Sequence, residues 1–271
     1  MGGGFRRGGT GRPRHDAGRL GLGAMRLPGM PGRLPVDHTT AVAVARRAVE
    51  LGVTHIDTAA FYSRGTSRAN EILRRALRPY PDGLTFATKV GPGQDVRAVV
   101  EQNLAELDLD VLDLVYLQSG RPNESLADRF AQLAELSDQG LVRGIGVADV
   151  TRAQFAEARA VAPVAAVQNR FGVLDQSDAP LVDECAEAKV IYVAHSALGG
   201  GRVRLADDGL RRVALRYGAT VYQVALAWGL TRSPTLVQIP GTASLTHLEQ
   251  NMAAVRLELD ETDMTTLERL A

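Results

Sequence analysis

Short, nearly continuous apolar runs alternate along this chain with longer segments whose apolar residues recur every three or four positions. The runs read as strands at 19–25, 53–57, 84–90, 111–117, 141–147, 164–168, 189–194 and 235–239. Continuous rather than alternating hydrophobicity marks strands covered on both faces, as in a parallel sheet. The segments between them read as helices. Asp37 or Thr39 starts the first, which reaches about Leu51 and carries Ala41, Val44, Ala45 and Ala48 on one face. Others fall at 68–78, 94–107, 125–138, 151–160 and 178–188, followed by a long helical region at 207–231 and closing helices at 244–255 and 260–270. This alternation predicts an α/β fold, a (β/α)₈ TIM barrel in one domain over residues 18–271. An open doubly wound sheet is the rival. It would place a helix directly after the glycine-rich turn of its first strand, and the run from Gly21 to Gly29 is followed instead by the loop Leu27–Gly32. Residues 1–17 are rich in Gly and Arg without apolar periodicity and read as a flexible tail.

Composition narrows the class. Lys plus Arg equals Asp plus Glu at 31 each, so no global field draws the chain to nucleic acid or to a membrane surface. No apolar run is long enough to span a bilayer, and no signal-peptide core is present. The lone Cys185 forms no internal disulfide and points to a reducing, cytoplasmic setting. The five histidines are too dispersed for a metal-ligand pattern, so no metal is expected. Lys89 and Lys189 are the only lysines; every other basic residue is Arg. Lysine is the cation whose pKa shifts readily on burial, so Lys89, inside an apolar strand, calls for a chemical explanation.

The strand ends supply one. In a barrel of this kind the active site lies at the C-terminal ends of the strands. Those ends carry Asp57, Lys89, Gln118, Ala148-Asp149, Gln168-Asn169, His195-Ser196 and Gly241-Thr242. Tyr62 follows Asp57 in the next loop. A single such residue is a cap or a turn; seven on one rim describe a site. A phenol beside an ammonium suits proton transfer, because the cation favours tyrosinate and brings the phenol toward working pH. Asp57 would orient that ammonium, and the Gln118 amide would donate to a substrate oxygen, although unlike imidazole it cannot titrate. Trp228 reads as core and His55 as a hydrogen-bonded structural residue.

The segments GLGAMRLPG, HIDTAAFY, FATKVG, LDLDVLDLVYLQ, GLVRGIGV, AAVQNRF, ALAWGL and IPGTASLTHLEQN, spread over about residues 19–271, resemble the aldo-keto reductases. The resemblance implies a barrel that binds NADPH in extended form and reduces a carbonyl, or a conjugated carbonyl, of a small organic substrate. Of that family's catalytic Asp, Tyr, Lys and His, three match Asp57, Tyr62 and Lys89, and Gln118 stands where His is usual. The implied cofactor set is Ala148, Asp149, Gln168, His195, Ser196, Leu198, Gly200, Arg202, Gly241, Thr242, Ser244, His247, Gln250 and Asn251. Within it, Ala148-Asp149 replaces a usual Ser-Asn, and His195 replaces an aromatic ring that stacks on the nicotinamide. His247 replaces a usual Arg, which implies a weaker grip on the 2′-phosphate. Arg202, after three glycines, is expected to clamp the pyrophosphate. A monomer or weak homo-oligomer is expected. These departures leave two rivals open: a cofactor-binding regulatory protein of feeble activity, or a non-redox dehydratase or cyclase on the same scaffold.

Overall fold

The computed structural model describes residues 17–30, 36–201 and 207–270. Eight parallel strands form one curled sheet: β1 (Leu22–Gly23), β2 (His55–Asp57), β3 (Thr85–Val90), β4 (Leu112–Gln118), β5 (Val142–Ala148), β6 (Ala166–Arg170), β7 (Ile191–His195) and β8 (Leu236–Gln238). Each pairs with its successor in the chain. A parallel bridge between Leu20 and Gln238, with Gly21 N–H donating to the Gln238 carbonyl at 2.8 Å, joins β8 back to the start of β1 and closes the barrel.

Among the described residues, ten α-helices surround it: α1 (His38–Glu50), α2 (Ala69–Leu77), α3 (Val96–Leu107), α4 (Ala127–Asp138), α5 (Arg152–Val161), α6 (Ala179–Glu187), α7 (Asp208–Arg216), α8 (Val221–Arg232), α9 (Leu245–Ala253) and α10 (Glu261–Glu268). Their starts follow from local chemistry. The Asp37 carboxylate caps α1 by accepting from Thr40 N–H, and Thr151/Gln154 and Thr220/Gln223 form reciprocal capping boxes at α5 and α8. Between helices and sheet lies a continuous apolar layer that includes Trp228, Phe171 and Tyr192.

Inside the barrel, period-two alternation sends Ala87, Leu114, Tyr116, Ala148, Ala166, Val193 and Ile239 inward. Their sizes are complementary. A Cβ on Gly146 would lie 2.5 Å from the Ala166 carbonyl and 2.9 Å from the Tyr116 ring, so the missing side chain is the space the tyrosine fills. The floor of the site is thus solid.

Several expected boundaries move. The first strand is only Leu22–Gly23, because Ala24–Arg26 turns into a 3₁₀ helix that carries Met25 and Arg26 toward the rim. The helical region 207–231 is two helices, broken where Gly218 takes φ +58° and Thr220 starts a new capping box. The helix expected to reach residue 255 ends at Ala253 in a 3₁₀ turn. A small hairpin, Ser63–Arg64 paired with Ser67–Arg68 around Gly65, was not anticipated. Of the tail expected over residues 1–17, Ala17 instead opens a 3₁₀ helix, Ala17–Arg19, and residues 1–16, the end of the Leu27–Gly32 loop and Arg202 lie outside the described residues.

Candidate active site

The ends of β2, β3 and β6 build the buried centre. Alternation turns Asp57 inward at the last position of β2, level with the interior residue Ala87 of β3. Lys89, two residues beyond Ala87, faces the same way. Its Nζ donates to Asp57 Oδ1 at 2.6 Å and to the Thr58 carbonyl at 3.3 Å. Gln168 Nε2 donates to the other carboxylate oxygen, Oδ2, also at 2.6 Å. Asp57 is 1% exposed and Lys89 5%. A charge so deeply buried is tolerable only when paired and hydrogen-bonded, as both are. Tyr62 is placed by its backbone: its N–H donates to the Ala59 carbonyl and its own carbonyl accepts from Ala69 N–H, the first residue of α2, both at 2.9 Å. The Lys89 nitrogen sits 5.1 Å from the centre of the Tyr62 ring.

The electrostatics differ from expectation at one residue. Burial alone would lower the Lys89 pKa, but Asp57 and Tyr62 together outweigh it and leave it raised. For Tyr62, burial raises the phenol pKa by more than Lys89 lowers it, so the phenol lies above its ordinary value. The cation acts in the expected direction; desolvation wins. A raised phenol is protonated at neutral pH, the form a proton donor needs. His55, one inward position below Asp57, is pushed down by burial, so it is neutral, and its Nε2 is buried without a partner. The structural reading of His55 thus stands without a hydrogen bond at Nε2 among the described residues.

A second group lies across the rim. Gln118, at the end of β4, donates from Nε2 to Asp149 Oδ2 at 2.8 Å. His195 Nε2 lies 2.9 Å from Asp149 Oδ1, and His195 Nδ1 lies 3.0 Å from Ser196 Oγ. Asp149 and Ser196 both take left-handed backbone, φ +52° and +59°. Such strain in non-glycine residues concentrates at functional sites. Burial pushes the Asp149 carboxyl up, but hydrogen bonds from His195 and Gln118 and the nearby Lys89 charge reverse this and hold it below its usual range. Asp149 is therefore ionised and can only accept. Gln118 thus spends one of its N–H groups on Asp149 rather than holding both toward a substrate. Ala148 is part of the apolar interior, and its methyl offers no hydrogen bond to a ligand.

The third group surrounds the N-terminus of α9. Ser244 caps this helix by accepting from His247 N–H, and Thr242 Oγ1 accepts from Ser244 N–H at 3.0 Å. His247 and Gln250 are exposed; Thr242 and Asn251 are buried. A Cβ on Gly241 would lie 2.9 Å from the Gly23 carbonyl, so a side chain there would meet backbone. Gly199 and Gly200 take φ +75° and +62°, and Leu198 packs half-buried against the core. Arg26 was missed by the sequence reading. Its Nη2 reaches the Gly200 carbonyl at 3.4 Å, and its side-chain carbons lie 3.6 Å from where a Gly241 Cβ would stand. The one signal for it was its place just after a glycine-rich strand, inside GLGAMRLPG.

A family model for the aldo/keto reductase family matches residues 19–271. The chain belongs to the aldo/keto reductase family. Pyridoxine 4-dehydrogenase of Escherichia coli is 42% identical, over 93% of this chain and 94% of its own length. An uncharacterized oxidoreductase of Schizosaccharomyces pombe is 31% identical over 89% of this chain and 82% of its own. Among solved structures, a thermostable aldo-keto reductase bound to the inhibitor epalrestat superposes with TM-score 0.84 at 29% identity, covering 93% of this chain and 95% of that one. An aldo/keto reductase from Klebsiella pneumoniae in complex with NADP and acetate superposes with TM-score 0.81 at 26% identity, covering 93% and 90%. The curled parallel sheet is thus an aldo/keto reductase barrel. Among its described residues, no helix is long and apolar enough to cross a membrane, and no cluster of His, Cys, Asp or Glu could hold a metal ion.

Proposed function

We propose that this aldo/keto reductase transfers hydride between NADPH and the carbonyl of a small organic aldehyde or ketone, with Tyr62 as proton donor. The observation that carries this is the buried Lys89–Asp57 pair beneath the Tyr62 phenol. Lys89 stabilises the negative charge that grows on the phenol oxygen as its proton leaves. Asp57 holds the ammonium in place, and Gln168 holds Asp57. Because Tyr62 rests above its ordinary pKa, the charge of Lys89 matters most in the transition state, where interactions accelerate a reaction.

The rim residues fit a dinucleotide. The N-terminal turn of α9, with exposed His247 in it, suits the adenosine phosphate, and Thr242, Ser244, Gln250 and Asn251 surround it. Arg26, over the Gly200 turn and Gly241, is placed to face the pyrophosphate, a role the sequence reading gave to Arg202. Gln168, Asp149 and His195, with Ser196 and Leu198 behind them, would hold the nicotinamide end. When bound, the cofactor supplies or accepts the hydride; the protein supplies the proton and the orientation. The 42% identity to pyridoxine 4-dehydrogenase makes the alcohol–aldehyde pair at the 4-position of the pyridoxine ring the first substrate to try.

The test is the NADPH absorbance decay with purified protein and the pyridoxine 4-aldehyde, benzaldehyde and a simple ketone, and the reverse reaction with pyridoxine and NADP. Turnover of an aldehyde that disappears in Tyr62→Phe supports the reading. Tight NADPH binding without turnover of any of them overturns it in favour of a regulatory cofactor binder.

A further inference from the structure

Gln118 is an amide where imidazole was expected, and its orientation is not free. Asp149 is held ionised, in left-handed backbone, by His195 on one oxygen and Gln118 on the other. A carboxylate accepts only, so the Gln118 NH₂ must face it, and the amide oxygen is turned away. Among the described residues no donor is hydrogen-bonded to Gln118 Oε1. Gln118 is half-buried at the end of β4, on the inward-facing register of Leu114 and Tyr116. The registers place it beside the catalytic centre: Tyr116 pairs with Lys89 across β3–β4, and Gln118 lies one inward position above Tyr116. Asp149, to which it is tied, senses the Lys89 charge, and Tyr62 in turn senses Asp149. A fixed hydrogen-bond acceptor therefore stands one inward position above the level of Lys89 and Tyr116. Nearby, the exposed Phe61 ring, edge-on to Tyr62 at 5.2 Å, offers a wall for a planar substrate.

We propose that Gln118 is a specificity-determining residue whose amide oxygen, oriented by the Asp149–His195 pair, accepts a hydrogen bond from a hydroxyl on the substrate atom adjacent to the carbonyl-bearing carbon. The preferred class is aromatic aldehydes with an ortho hydroxyl, and the corresponding benzylic-type alcohols in reverse. This rests on the carbonyl-reductase reading above and names the substrate class for that same site. The pyridoxine ring belongs to the class, since its phenolic hydroxyl sits next to the carbon that bears the 4-substituent. A neutral imidazole at 118 would keep one acceptor nitrogen, held at a different place on a rigid ring, whereas a methionine would offer no amide oxygen at all. A substrate that covers this acceptor without a hydroxyl to bond it leaves the acceptor unpaired and binds less well in the transition state.

The experiment compares 2-hydroxybenzaldehyde, 2-methoxybenzaldehyde and benzaldehyde by kcat/KM in the NADPH-driven reaction, with wild type, Gln118→Met, Gln118→His and Asp149→Asn. Wild type is expected to prefer the hydroxy compound over both others by about tenfold, the value of one hydrogen bond to a fixed group. That preference should fall to about unity in Gln118→Met and be only partly lost in Gln118→His, whose neutral ring keeps one acceptor nitrogen. It should shrink in Asp149→Asn, where either end of the amide can face residue 149. Calorimetric Kd values of 2-hydroxybenzyl alcohol and benzyl alcohol for the NADP-loaded proteins provide a readout independent of turnover and should show the same pattern. Equal kcat/KM for the hydroxy and unsubstituted aldehydes in wild type overturns the inference while leaving carbonyl reduction standing, as does a preference that survives Gln118→Met. Absence of turnover with every aldehyde removes the carbonyl-reductase reading and this inference with it.

Discussion

Replacing Asp57 with Asn tests whether the centre is held together as the geometry implies. The substitution keeps shape and removes a charge whose side chain is 2% exposed and lies 2.6 Å from an ammonium that is 6% exposed. Asparagine has one oxygen. Aimed at Lys89, it sets its NH₂ against the Gln168 NH₂; Gln168 can relieve this by turning its own amide. What no rearrangement relieves is a buried ammonium facing a neutral dipole. Removing one partner of a buried pair costs about 3–5 kcal/mol, and because one hydrogen bond to Lys89 survives, about 3 kcal/mol is expected. The pH dependence carries a sign. In the wild type the Lys89 pKa is raised in the folded state, so its stabilisation is fully present below the unfolded lysine pKa and is lost as pH rises through the folded value. In Asp57→Asn, burial acts with less opposition and depresses the Lys89 pKa, so the penalty is full near neutrality and fades toward about pH 10. Urea unfolding of both proteins at a series of pH values measures this. The destabilisation should narrow steadily with rising pH, and Asp57→Asn/Lys89→Met should cost less than the sum of the single variants. A loss below about 1 kcal/mol, or one that does not change with pH, would refute the claim that the carboxylate compensates a buried charge.

Three further outcomes are expected. Tyr62→Phe should lower kcat for aldehyde reduction by about 10²–10⁴-fold, the usual contribution of general acid catalysis, with the NADPH Kd nearly unchanged; near-normal turnover would remove Tyr62 from the chemistry. His247→Ala should reduce the preference for NADPH over NADH; an unchanged ratio of the two Kd values would assign the 2′-phosphate to other residues. Cys185 is buried and its thiol is pushed up to about 12, chiefly by burial, so a disulfide thiol reagent at neutral pH should label it in the unfolded chain and not in the native one.

Much of this molecule is legible in its hydrophobic pattern because a parallel barrel covers both faces of most strands, leaving unbroken apolar runs such as Val115–Leu117 between polar helix faces. Strand-end residues were readable for the same reason. Once β3 is placed by Thr85–Val90, Lys89 has one inward-facing position to occupy. The misreadings arose where local backbone or distant neighbours decide. Gly218 breaks α7 from α8 through a positive φ that periodicity does not register. The raised Tyr62 phenol follows from desolvation by a three-dimensional neighbourhood, against the pairwise logic of Tyr beside Lys. Arg26 meets Gly200 over 174 residues of chain, and the Gln118–Asp149–His195 chain joins three strand ends; neither contact leaves a mark in local spacing.

The Leu20–Gln238 seam gives the barrel a timetable. Arg19 reaches the Ser233, Leu236 and Leu230 carbonyls on the far side of that seam, contacts that span more than 200 residues. On a ribosome, which releases the chain from its N-terminus, every strand pair except β7–β8, which also waits for β8, has both members available before this one. Until residue 240 emerges, the growing sheet is an open fan with two unsatisfied edges, one at β1 and one at the newest strand. The entropy of joining ends so far apart rises only slowly with length, so closure is thermodynamically inexpensive yet late. The period of risk for edge-to-edge association is therefore set by translation speed, and slowing synthesis after β7 should lower soluble yield more than an equal pause after β3.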